Sequence, residues 1–343
     1  MPTLNKKVLI SVICCVMHAS TVSATFAQSD SFYSGKSIRL VVGYAPGGGY
    51  DSYIRTFARH FATHVTGRPD VIVMNMPGAA TLRAVQYLES GVPKDGTIVT
   101  IFNPGLITQS LTGPEKVKIR LTDFRWIGTM SRDVRVCYVW NPRIKETSLD
   151  ALRNIERIVF GETGTGSAAY VEQRILGDIF GLRVHQVLGY SGSGEKRIAI
   201  ERGELDGDCG AWTSIPADWL REKKLTPVIR FSRDLAPGMD STIPFALDLV
   251  SDDVQRSVLS LLGAANDFGR PFIVSKDVPP DRVEVLRTAF LDTLKSAAFL
   301  ADADKQNLSI IGPMRGDDAE KALQEIYGAS TEVIARAKEI SGD

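Results

Sequence analysis

Three things are scarce in this chain of 343 residues, and each scarcity removes a class of function. Net charge is missing, since 40 Lys and Arg balance 40 Asp and Glu, so no electrostatic reach toward nucleic acid or anionic lipid is implied. Long apolar runs are missing. The longest, Val8 to Met17, is about half the length a bilayer-spanning helix needs. Cysteine is sparse at 4 residues, and two of these, Cys14 and Cys15, fall inside that apolar run. What is present is ordinary for a folded globular chain: 44% hydrophobic residues, 30 Gly and 16 Pro, which argues against disorder, collagen-like repeats and low complexity.

The first residues have an order of their own. Lys6 and Lys7 precede the apolar run, and small and polar residues follow it to Ala27. A charged start, a short apolar middle and a small-residue exit are the marks of a secretory signal peptide, here residues 1–27, and the rest is expected in the periplasm. No small residues stand just before Cys14 or Cys15, so a lipoprotein anchor is not expected. Export leaves Cys137 and Cys209 on two runs that read as strands. A disulfide and a pair of buried thiols are both open.

Strand, glycine-rich turn and helix then alternate. Ile38–Tyr44, Val71–Asn75 and Ile98–Phe102 are apolar runs of strand length, each closed by a turn containing Pro and Gly. A second series follows at Arg135–Trp140, Ile158–Glu162, His185–Gly189, Leu205–Cys209 and Thr226–Phe231. Strands this apolar, separated by helical lengths, predict parallel sheets covered on both faces. Beyond them the chain is mostly helical, with one strand-like run at Pro271–Val274. The expected fold class is α/β with two lobes and a ligand cleft between them. The first lobe is expected from residues 28–129 and 233–343, the second from 130–232, with crossings at polar interruptions near Ser131 and Arg233.

Chemistry is expected at the turns. Pro46-Gly47-Gly48-Gly49 and Thr163-Gly164-Thr165-Gly166-Ser167 each join a strand end to a helix start, where free N–H groups and the helix dipole favour anions. The plain alternative is tight turns that need glycine for positive φ. Two donor turns facing across a cleft would suit a small carboxylate. Catalytic motifs all fall short. Gly164 to Ala169 matches a dinucleotide fingerprint, but the next strand ends in Gly189-Tyr190-Ser191 without the acid that would hold a ribose. Gly161 to Ser167 lacks the P-loop lysine, and Gly189 to Ser193 misses the final glycine of a nucleophile elbow. His60 and His64 could share a helix face but lack a metalloprotease glutamate between them. No metal or cofactor is expected.

At this point the residues carry a resemblance. Ile38-Arg39-Leu40-Val41-Val42-Gly43-Tyr44-Ala45-Pro46-Gly47-Gly48-Gly49-Tyr50-Asp51 resembles the opening signature of Bug-type solute receptors, the periplasmic binding proteins of tripartite tricarboxylate transporters. Val73 to Ala79, Pro93 to Thr97, Phe124 to Gly128, Gly161 to Ser167, Gly189 to Gly192 and Gly203 to Asp206 keep that family's order. The resemblance implies a type II periplasmic-binding-protein fold that closes over a small organic carboxylate and is recognised, closed, by membrane transporter subunits. It implies a monomer and no enzyme activity. Backbone amides of Ala45 to Gly49 and of Thr163 to Ser167 would hold one carboxylate from both lobes, with Asp51 at the end of the signature. Asn75, Phe102 and Asn103 would line the first-lobe side, and Tyr190, Asp206 and Trp212 the second. Two alternatives stand beside this reading: an exported hydrolase or lyase using Asp206, Asp208 and Ser191, and a ligand sensor that presents its closed form to a signalling partner.

Overall fold

The computed structural model describes residues 32–145 and 147–341, and the expected signal peptide lies outside them. Among the described residues, eleven strands form two sheets. The first contains β1 (Ser37–Val42), β2 (Asp70–Asn75), β3 (Ile98–Ile101), β4 (Phe124–Thr129), β10 (Pro271–Ser275) and β11 (Met314–Arg315), in the spatial order β11-β4-β10-β3-β1-β2. The second contains β5 (Arg135–Trp140), β6 (Ile158–Glu162), β7 (Val184–Leu188), β8 (Gly207–Ala211) and β9 (Leu225–Arg230), in the order β7-β6-β8-β5-β9.

The continuous apolar runs are explained by burial on both faces. Successive side chains of a strand point to opposite sides. Leu40 and Val42 therefore enter a core with Phe57, Phe272 and Phe290, while Val41 enters another with Leu106, Trp126 and Ile273. On β5, Cys137 and Val139 pack with Ile158 and Leu176, and Val136 and Tyr138 pack with Ile200 and Trp219 on the opposite face.

The sheets are mixed rather than wholly parallel. β1 runs parallel to β2 and β3, and β6 runs parallel to β7 and β8. However, β10 is antiparallel to β3 and β4, and β5 is antiparallel to β8 and β9. The antiparallel members include the strands at which the chain passes between the sheets, β4 to β5 and β9 to β10.

The C-terminal part also differs from expectation. Val283, Leu286, Phe290 and Leu294 of the helix Pro280–Lys295 join the first-sheet core, as does Leu323 of the helix Gly316–Tyr327. The helix Asp253–Ala264 and the last helix, Thr331–Ser341, instead put Val258, Leu262, Ala337 and Ile340 into the core of the second sheet. An amphipathic pattern specifies an apolar face but not the surface that will cover it, so the sequence could not separate these helices from the two before them.

Cys137 and Cys209 sit directly opposite one another on β5 and β8 and form a disulfide. It closes a loop with a sequence separation of 72, for which chain entropy gives a stabilisation of about 4 kcal/mol. The double variant Cys137→Ala/Cys209→Ala should lose about that much in urea unfolding. The parent, unfolded without reductant, should show no free thiol at either position.

Candidate functional site

The carboxyl ends of the parallel strands in the two sheets face each other, and a pocket of about 70 Å³ lies between them. The first sheet supplies Tyr44, Gly48, Tyr50 and Asn103, and the second supplies Arg135, Tyr138, Glu162, Thr163, Ser167, Lys196 and Asp208. Both glycine-rich turns hydrogen-bond to the opposite lobe. Ala45 N–H donates to Ser191 O (3.1 Å), Gly49 N–H to Ser193 Oγ (3.3 Å), and Arg197 Nη2 reaches Gly47 O (3.0 Å). From the second turn, Ala168 N–H donates to Asn103 Oδ1 (3.1 Å), and Thr165 Oγ1 accepts from Gln109 Nε2 (2.8 Å). The lobes are held together around the pocket by contacts made across it.

The walls carry buried charge. Lys196 Nζ lies 2.6 Å from Asp208 Oδ1 and 3.7 Å from Glu162 Oε1, and all three side chains are buried. Glu162 also accepts from Ser167 Oγ (2.6 Å) and Gln173 Nε2 (2.5 Å). Behind it, Arg135 forms a two-point pair with Glu172, at 2.5 and 2.9 Å. Burial pushes Glu162 up from its ordinary 4.5 to about 7, and it raises Asp208 as well. Burial opposes the charged form of Lys196, but Asp208 and Glu162 outweigh it and hold the lysine above its ordinary range. Two pocket hydroxyls, Thr163 Oγ1 and Tyr50 Oη, are buried without a hydrogen-bond partner among the described residues.

A pH dependence follows from Glu162. Its folded pKa is raised, so its contribution to stability is complete below about 4.5 and is lost as pH climbs through about 7. Lys196, Asp208, Arg135 and Ser167 are the groups that face it. Glu162→Gln should therefore gain on the parent as pH rises from about 5 to 8, by on the order of 2 kcal/mol. Urea unfolding at several pH values checks this; a constant difference would contradict it.

The structure brings together only part of the set expected from sequence. Gly48, Asn103, Thr163 and Ser167 line the pocket. Ala45, Pro46 and Gly47 line a separate groove, opposite Ser191 and Gly192. Asp51 is committed elsewhere: its carboxylate takes Gly47 N–H (3.0 Å), Arg55 Nε (2.9 Å) and Asn75 Nδ2 (2.9 Å). Asn75 is thereby a brace for the first turn, since its amide also donates to Tyr44 O. Gly164 and Gly166 pack against the opposite lobe at Ala80 and at Leu106 with Gln109. Phe102 is in the core edge-on to Trp126 and does not reach the pocket.

Three second-lobe residues also lie outside the pocket. The Asp206 carboxylate is pinned by Arg143 Nε (2.7 Å) and Val159 N–H (2.8 Å), and Trp212 is buried with its indole N–H on Pro237 O (3.3 Å). Tyr190 covers Gly161 beside the second turn. Nor do the residues of a hydrolase converge. Asp208 pairs with Lys196, Asp206 with Arg143, and Ser191 Oγ donates to Glu195 Oε2 (2.7 Å).

Sequence reasoning missed Tyr44, Tyr138, Arg135, Lys196 and Glu162. Arg135 and Glu162 were visible only as the ends of strands. Lys196, in Glu195-Lys196-Arg197, looks like part of a solvated helix face. A signal was available at Glu162: an acid closing an apolar strand immediately before a glycine turn is costly to bury without a partner.

Architecture and site geometry place the chain in the two-lobed fold of periplasmic binding proteins. BugD, described as a periplasmic binding protein, superposes with a TM-score of 0.71 at 15% identity, covering 90% of this chain and 99% of that one. MatC from Rhodopseudomonas palustris, solved with bound malate, gives 0.66 at 16% identity over 89% and 99%. In sequence, a UPF0065 protein from the gbd 5' region of Cupriavidus necator is 38% identical over 78 residues, a stretch that spans 23% of this chain and 23% of that relative. No protein-family profile matches the sequence.

Proposed function

We propose that this protein is a periplasmic solute-binding protein that captures a small organic carboxylate by lobe closure and offers the closed form to membrane transporter subunits. The observation that carries this reading is the pair of glycine-rich turns, each hydrogen-bonded to the opposite lobe around one shared pocket. Contacts of this kind exist only when the lobes meet, so a ligand that adds to them shifts the open–closed equilibrium. The malate in MatC makes a small carboxylate the first ligand class to try. The crossings between β4 and β5 and between β9 and β10 are the proposed hinges.

A thermal-shift screen of the purified protein against small carboxylates tests the reading. A ligand at about 100 times Kd adds roughly 2.7 kcal/mol and raises Tm. If no carboxylate raises Tm and a substrate is turned over instead, the reading fails. Gly48→Pro should delete one donor at the pocket wall and weaken binding by about 1–3 kcal/mol, with the circular dichroism of the parent retained. Calorimetry of this variant with the ligand found in the screen gives the number.

A further inference from the structure

We propose that the ligand is a monocarboxylate whose far end carries an N–H donor, an amide or an ammonium group, and that the Glu162–Lys196–Asp208 cluster selects it over a dicarboxylate. This rests on the carboxylate-capture reading above and narrows it.

The basis is a charge balance within the pocket. Lys196 is already engaged by Asp208 at 2.6 Å and by Glu162 at 3.7 Å. Arg135 is engaged by Glu172 through two contacts. Among the described residues, Arg197 is the one lining cation with no carboxylate partner; its guanidinium donates to Gly47 O and Ser193 O. One ligand carboxylate has a counter-charge at Arg197 and the glycine turns. A second would meet no unpaired cation and two buried acids. Like charges brought together in a desolvated site repel strongly, so such an anion is rejected rather than merely unassisted.

An N–H donor meets the opposite situation. Glu162 already accepts from Ser167 and Gln173, and Asp208 from Lys196 and the Cys209 N–H, yet each carboxylate has about four lone-pair sites, so acceptor positions remain for a ligand donor. The unpartnered hydroxyls of Thr163 and Tyr50 line the same pocket and add acceptors for the donor group. A site with such acceptors discriminates by hydrogen bonding, and an analogue without the donor leaves them buried and unmet.

Calorimetry on the purified parent tests this with matched series. The probes are succinate, succinamate, 4-aminobutyrate and butyrate, together with adipate, adipamate, 6-aminohexanoate and hexanoate. Succinamate or adipamate binding at least about tenfold tighter than the matching diacid supports the proposal and identifies an amide. The same margin for the amino acids identifies an ammonium group. In Asp208→Asn and Glu162→Gln, each checked for folding by circular dichroism, that margin should shrink at least about fivefold as the diacid is readmitted. A diacid, or an acid lacking the donor, that binds the parent as tightly as the N–H ligands overturns the proposal and leaves carboxylate capture standing. A margin unchanged in both variants overturns the role of the cluster. If none of the probes binds, this proposal fails, while carboxylate capture is decided separately by the thermal-shift screen.

Discussion

Gly105→Val is expected to abolish ligand capture while both lobes stay folded. Gly105 opens the helix Gly105–Thr112 in the first lobe, and a Cβ there would lie 2.7 Å from both Gly166 O and the Ser167 carbonyl carbon in the second. These are main-chain atoms and cannot swing aside as a side-chain end can. The glycine is needed for close approach, because its φ is not positive. The clash exists only with the lobes together, so the substitution penalises the closed form selectively. A closed form made rarer by about 3 kcal/mol lowers apparent affinity more than a hundredfold. Calorimetry with the ligand that stabilises the parent gives the affinity, and small-angle scattering should show a more open particle. Binding within about threefold of the parent would contradict the expectation.

Asp133→Ala should produce a large loss of stability. Asp133 lies on the crossing between β4 and β5 and pairs with Arg270, which precedes β10, and both are almost wholly buried. Arg270 also sits 3.7 Å over the ring of Tyr53 and donates to Thr213 Oγ1 at 3.2 Å. Around the pair, Asp133 N–H donates to Asn266 O and Ser131 N–H to Gly269 O, so one ion pair ties both passages between the lobes. Removing the acid strands a buried guanidinium, at a cost of about 3–5 kcal/mol. The double variant Asp133→Ala/Arg270→Met should recover much of that, because the stranded charge goes with it. Urea unfolding followed by tryptophan fluorescence measures both, and a double variant no more stable than the single would refute the assignment.

Where local pattern determines structure, the fold was legible. The run from Ile38 to Tyr44 became β1, Ile158–Glu162 became β6 with the same bounds, and Pro271–Val274 became β10. What pattern could not supply was partnership. Phe124 to Gly128 stood out only as a family motif, yet it belongs to a strand, β4, that pairs along β10 and β11. The site was legible in the same measure. Glycine turns announce themselves by composition, so Gly48 and Ser167 were found. Arg135 and Lys196 were not, because a buried charge looks like an exposed one until its partner is placed. Cys137 and Cys209 could not be paired from sequence because their distance depends on β5 and β8 being neighbours.

The seating of the last helix has a kinetic consequence. Ala337 and Ile340 complete a core that Cys137 and Ile158 begin, so that core draws on chain from both sides of the first sheet's returning strands. Contacts so distant in sequence are slow to form and cannot be anticipated by local structure. A nascent chain therefore lacks part of its second core until Ala337 and Ile340 have emerged, and its intermediates expose apolar surface meanwhile. The timing of folding thus depends on when the helix Thr331–Ser341 reaches the core of the second sheet.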